Sequence, residues 1–118
     1  MSLNIHVRED SGVSVIEVSG RLTLGNVPTI LKDEIRRLLD EGKKQIVVNL
    51  GGLTYMDSSG MGLLVGAYAT VNREGGHLKL SNLTGRVKDL LLITKLYTVF
   101  EIHAEEPDAV RSFAASAG

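Results

Sequence analysis

Hydrophobic and polar positions alternate from the start of the chain. Leu3, Ile5 and Val7 are separated by polar neighbours, and Asp10-Ser11-Gly12 follows with turn chemistry. Val13, Val15 and the run Ile16 to Val18 resume the strand pattern, which predicts an opening hairpin. The period then changes. Val27, Ile30, Leu31, Ile35, Leu38 and Leu39 recur at helical spacing, with Asn26 and Pro28 suited to a helix start and Gly42 to its end, so a first helix is predicted over Val27 to Glu41. Ile46, Val47, Val48 and Leu50 form a short, nearly continuous apolar run, the mark of an interior strand covered on both faces. Beyond it, Gly51 to Met56 reads as a loop.

Met61, Leu64, Val65, Tyr68 and Val71 return to helical spacing over Ser58 to Glu74, and Gly75-Gly76 closes that segment. Leu78 and Leu80 predict a further strand. Thr84-Gly85 then opens a helix expected to turn Val87, Leu90, Leu91 and Ile93 toward the core. A last short strand is predicted over Val99 to His103, before a helix that begins near Pro107, carries Val110 and Phe113 on one side, and frays over Ala114 to Gly118. Strands and helices that alternate after a hairpin imply an α/β fold. Its sheet should be mixed, of four to five strands, mostly parallel once right-handed crossovers are applied, and flanked by about four helices.

The 118 residues suit one domain and one core. Hydrophobic residues make up 43% and charged residues 23%, a balance that folds rather than remaining disordered. With a net charge of −1 there is no general cationic field to gather nucleic acid or anionic lipid, so partners must be recognised by local shape. The chain has no cysteine, which removes disulfides and thiolate metal sites and fits a reducing compartment. Met1 to His6 lacks the basic and apolar regions of a secretory signal, and no apolar run approaches the ~20 residues of a membrane span. A cytoplasmic protein without membrane insertion is the expectation.

The stretch Leu53 to Leu64 carries the candidate chemistry, because a loop between a buried strand and a helix is where such sheets display sites. Asp57, Ser58 and Ser59 can each cap a helix, yet one cap suffices, and Gly60 lowers helix propensity by ~1 kcal/mol relative to alanine. A serine here can become a phosphoserine of ~1.5 to 2 negative charges, which the positive helix tip tolerates. Asp57 opposes the added charge, so a partner, more than the fold, should feel it. Gly60, Gly62 and Gly66 leave part of the helix bare, either for close packing or as a smooth partner surface, with Met61 as an adaptable apolar contact near that surface.

Met56-Asp57-Ser58-Ser59-Gly60-Met61-Gly62-Leu63, placed after Ile46 to Leu50, resembles the signature of the STAS-domain anti-sigma factor antagonists. Val18 to Leu22, Gly75 to Leu78, and Leu90 to Leu96 with Val99-Phe100 fall in the same order, so the resemblance spans nearly the whole chain and implies a single STAS domain over residues 1–118. It also implies partner switching. The unmodified antagonist binds an anti-sigma factor that is a serine kinase, which frees the sigma factor; the kinase phosphorylates the serine after the motif aspartate, and a PP2C-type phosphatase reverses it. Carried onto this chain, the acceptor is Ser58, oriented by Asp57, with Ser59 and Gly60 completing the turn. The family often has an acidic residue where this sequence has Thr23, whose neutral hydroxyl cannot supply that charge to a kinase. Arg21, Thr23 and Asn26 are candidate rim contacts, and the expected partner surface combines the Leu22 to Asn26 loop with the amino-terminal end of the Ser58 helix, including Met61 and Gly62.

Other classes fit the residues less well. A nucleophilic serine needs an oriented base, but His6, His77 and His103 are scattered through predicted strands and the Gly-x-Ser-x-Gly elbow is absent. Gly60-Met61-Gly62-Leu63-Leu64-Val65-Gly66 places its last glycine one residue late for a dinucleotide fingerprint. No cofactor is implied, and no histidine or carboxylate cluster has metal-ligand spacing. Within the resemblance itself, STAS domains also act as scaffold subunits of stress-sensing assemblies and as accessory subunits of lipid-transport complexes. Asp57-Ser58 and the chain's length favour the antagonist.

Overall fold

The structure, a computed structural model, describes residues 3–23 and 28–117. The opening hairpin pairs β1 (Leu3–Asp10) with β2 (Val13–Leu22), antiparallel and in continuous register from Leu3 opposite Gly20 to Asp10 opposite Val13. Ser11 and Gly12 make its turn with φ of 56° and 81°, the left-handed pair that matches the twist of two adjoining strands. After β2 the chain alternates: α1 (Pro28–Asp40), β3 (Gln45–Met56), α2 (Ser58–Arg73), β4 (His77–Ser81), α3 (Gly85–Thr94), a single 3-10 turn at Leu96–Thr98, β5 (Glu101–His103) and α4 (Glu106–Ala117). The strands lie in the order β1-β2-β3-β4-β5, and every pair after the first is parallel.

Successive right-handed crossovers that always advance in one direction deposit their helices on one face of a sheet. Accordingly Leu31, Ile35 and Leu38 of α1, Met61, Leu64 and Val71 of α2, and Val87 and Leu91 of α3 share one core with Ile16, Val18, Ile46, Val48, Leu50 and Leu80. Each fully buried aliphatic side chain contributes about 1.5–3 kcal/mol through removal from water. The alternate residues Val13, Val15 and Val47 point to the opposite face, where α4 covers them with Ala109, Val110 and Phe113. Beside this second core, Arg8 pairs with Glu17 at 2.9 Å and with Glu106, while Asn49 Nδ2 donates to Glu106 Oε1 at 3.0 Å, tying the start of α4 to the sheet.

Several expectations need correction. Gly51 to Met56 is strand, not loop: β3 continues beside the end of β2, with Ser19 opposite Gly52 and Leu22 opposite Met56. Two irregularities, between Glu17 and Ser19 and between Gly20 and Arg21, each give β3 one more residue than β2, so the simple alternation of side chains is lost there. Ile93 is 78% exposed and turns away from the core, because α3 buries only Val87 and Leu91 and leaves the following residues outward. The last strand begins at Glu101 instead of Val99, since the 3-10 turn occupies the preceding residues and Val99 is exposed. The small-residue end is helical through Ala117. The predicted helix start at Val27 lies outside the described residues. No helix among those described is long and apolar enough to cross a membrane.

Candidate functional site

Asp57 ends the extended backbone of β3 with φ −114° and ψ −175° and is the N-cap of α2. Its Oδ1 accepts a hydrogen bond from Gly60 N at 2.9 Å, and its carbonyl accepts from Met61 N at 3.0 Å, which opens the helical ladder. Such a cap uses one side-chain acceptor and leaves the earlier N–H groups of the helix tip unsatisfied within the helix. Ser58, the first helical residue, is exposed, whereas Ser59 is half-buried and Gly60 buried. Ser58 therefore presents its hydroxyl at the positive end of a 16-residue helix, on the carboxyl edge of the parallel sheet.

Gly60 is required by packing. A Cβ built there would lie 2.0 Å from the Leu22 carbonyl oxygen and 2.9 Å from its carbon, so α2 can approach the end of β2 only because the side chain is missing. Gly62 and Gly66 are different: an added Cβ at either meets nothing within 4 Å, and both are exposed. They floor an open groove of about 450 Å³ between α1 and α2, with Leu63, Lys32 and Arg73 also on its walls. Met61, expected as a partner contact, is 1% exposed and belongs to the core. The signal for this was present, since Met61 shares the helical phase of Leu64 and Val71, the inward face of α2.

The rim residues separate. Arg21 is exposed, Thr23 is half-buried, and Asn26 lies outside the described residues, as does most of the Leu22 to Asn26 loop; Leu22 itself is buried in β2. Arg21 faces Tyr55 across the β2–β3 pairing, and its guanidinium carbon lies 4.4 Å from the centre of the tyrosine ring. Arg86, in the first turn of α3, lies over the same ring at 4.8 Å. At exposed positions each such contact contributes about 0.5–1 kcal/mol. Sequence reading missed Tyr55 and Arg86, because only the tertiary fold brings the start of α3 against the end of β3. Met56, Gly85, Arg86 and Leu90 line an open hollow of about 510 Å³ at that junction.

The histidines do not assemble around Ser58: His6 is on β1, His77 begins β4, and His103 is on β5, where its Nε2 is 2.7 Å from Glu101 Oε2. Among the described residues no group of three or more histidine and carboxylate side chains is arranged to hold a metal. What the arrangement offers is an accessible hydroxyl on a helix tip, with two cationic side chains stacked on Tyr55, three residues before it.

Comparison with known proteins gives this geometry a context. The profile of the STAS domain matches residues 4–109. The chain is 30% identical over 111 residues to the anti-sigma-B factor antagonist of Bacillus subtilis (strain 168), covering 94% of this chain and 100% of that one. Its fold is similar to the crystal structure of an anti-sigma factor antagonist from Mycobacterium paratuberculosis, with a TM-score of 0.82 at 22% identity over 94% of this chain and 93% of the other. It is also similar to the phosphorylated form of the Bacillus cell fate determinant SpoIIAA, with a TM-score of 0.69 at 23% identity over 92% of this chain and 99% of that one.

Proposed function

Because the chain belongs to the STAS domain family, among the anti-sigma factor antagonists, we propose that it is a partner-switching protein controlled at Ser58. In its unmodified form it binds an anti-sigma factor that is also a serine kinase, and the sigma factor held by that kinase is released for transcription. The kinase then transfers the γ-phosphoryl group of ATP to Ser58 Oγ: the new O–P bond forms as the bond to the β-phosphate breaks, ADP leaves, and the hydroxyl proton passes to a base of the kinase. A PP2C-type phosphatase returns the serine by hydrolysis, with inorganic phosphate as the other product.

The observation that carries this reading is the exposure of Ser58 at the first position of α2, immediately after a cap supplied by another residue. Asp57 already satisfies Gly60 N, so the Ser58 hydroxyl has no structural duty in the cap and can be modified without opening the helix. The phosphate gains from the helix dipole and is opposed by the Asp57 carboxylate, effects of similar size at an exposed site. The domain should therefore keep its shape while its docking surface acquires charge and bulk. Gly62 belongs to the same surface, on the open side of α2, and Arg21 and Thr23 form its β2 rim.

The test is phosphate incorporation. Wild type and Ser58→Ala are incubated with the anti-sigma factor kinase of the same genome and labelled ATP; wild type is expected to take up one phosphate and the variant none. Equal labelling of the two would reject Ser58 as the acceptor. Ser58→Asp is expected to weaken kinase binding, though by less than the phosphate does, since one carboxylate carries half the charge.

A further inference from the structure

Two arginines share one tyrosine ring beside the phosphorylation site. Arg21 and Arg86 lie 4.4 and 4.8 Å from the centre of Tyr55, and neither makes an ion pair with a carboxylate among the described residues. Of the other described arginines, Arg8, Arg36, Arg37 and Arg111 each have carboxylate partners, and Arg73, in the groove between α1 and α2, makes no ion pair but stacks on no ring. The Tyr55 ring holds the two guanidiniums in place without neutralising them, and Asp89, the one carboxylate that lines the hollow beside Arg86, makes no ion pair with it among the described residues, so an anion brought among the arginines is favoured.

Ser58 follows Tyr55 closely along the chain. Tyr55 is the third residue before Ser58, so their Cα atoms are at most about 11 Å apart. Arg21 is bound into the sheet opposite Tyr55, next to Leu22, whose carbonyl is the atom against which Gly60 packs. Arg86 lines the same hollow as Met56, two residues before Ser58. Both arginines are exposed and end in planar, bidentate donors suited to a phosphate. Their supporting strands and helix are fixed, so little ordering is required beyond the side chains.

We propose that Arg21 and Arg86 are a receiver for the phosphoryl group of modified Ser58, an inference that rests on the reading of Ser58 as the acceptor. When the phosphate is added, one or both guanidiniums leave the ring and pair with its oxygens, and the Tyr55 face becomes uncovered. Modification then does more than add charge. Pairing offsets the repulsion from Asp57, draws one or both cations off the ring and uncovers an aromatic face, so that the two forms differ in chemistry over several residues.

The experiment installs phosphoserine at position 58 during translation, independently of any kinase, and follows its phosphorus resonance as pH is raised from 4 to 8. The second ionisation of the phosphate is expected about 0.5–1 unit lower in the otherwise wild-type chain than in the R21Q/R86Q double variant, a difference that shrinks in high salt. Each single variant, R21Q and R86Q, is expected to show part of the shift, and thermal unfolding reports whether any of them is misfolded. Coincident titrations in all folded variants would overturn the receiver. So would an unchanged titration accompanied by weaker binding of the unmodified double variant to the anti-sigma factor, because the arginines would then serve carboxylates of the partner. Failure of the kinase to label wild type sinks the assignment of Ser58 itself, a result separable from the titration.

Discussion

Gly60 and Gly62 are two residues apart on one helix, and they lack side chains for opposite reasons. At Gly60 a methyl group would overlap the Leu22 backbone at 2.0 Å, and neither α2 nor β2 can yield without disturbing the sheet. Gly60→Ala is therefore expected to destabilise the fold by about 1–3 kcal/mol through overpacking. At Gly62 the methyl group enters open space, so Gly62→Ala is expected to stabilise by about 0.5–1 kcal/mol through helix propensity alone. Urea unfolding of both variants measures the contrast, and a Gly60→Ala protein as stable as wild type would contradict the packing described. The sequence motif showed that glycines recur here but could not sort them, because what a glycine faces is a property of the neighbouring strand. The cap at Asp57 was legible for the converse reason: capping chemistry is local, and the carboxylate lies only three residues before the N–H that it satisfies.

At the scale of elements, the short edge strand β5 depends on a charged seam. Lys79 of β4 is 4% exposed, and its ammonium donates to Ser112 Oγ of α4 at 2.7 Å, lies 3.0 Å from Glu101 Oε2 and sits over the Phe113 ring at 4.1 Å. The hydrogen bond from His103, then that from Lys79, holds the Glu101 carboxyl below its ordinary range. A carboxyl whose folded-state pKa is depressed stabilises the fold fully above its unfolded value of about 4.5, and that contribution is lost as pH falls through the folded value. Wild type is thus expected to melt above Glu101→Gln near neutrality and to lose this advantage below about pH 4. Melting temperatures across that range check it, and a gap that persisted at pH 2 would show that the loss in the variant is not electrostatic. Most of this architecture was readable from periodicity, because both the strands and the amphipathic helices bury regular faces. The extension of β3 was not. Gly51-Gly52 reads as a break in sequence, and the two extra residues that β3 takes opposite β2 disrupt the alternation by which a strand is recognised. The outward turn of Ile93 was equally hidden, since a run of four apolar residues does not say which two face in.

For the molecule as a whole, the site and the second core lie apart. Ser58, Arg21, Tyr55 and Arg86 belong to the carboxyl ends of β2 and β3 and the adjoining helix starts, whereas α4 covers Val13, Val15 and Val47 on the reverse face. The proposed phosphorylation of Ser58 would take the net charge from −1 to about −3 and act at the first of these places. Amide spectra of the modified and unmodified chains are expected to differ at the ends of β2 and β3 and the first turns of α2 and α3, and to coincide in the β1–β2 turn and α4. Changes spread evenly over the chain would mean that the modification alters the fold itself.

The β2–β3 ribbon runs on past Asn49, where β4 has already stopped, and it is this overhang that carries Arg21 and Tyr55 and leads into Ser58. On the proposed reading, exchanging the exposed side chains of this overhang would retune docking, while Leu22, Leu53 and Met56, buried in the same stretch, would keep it seated on the core.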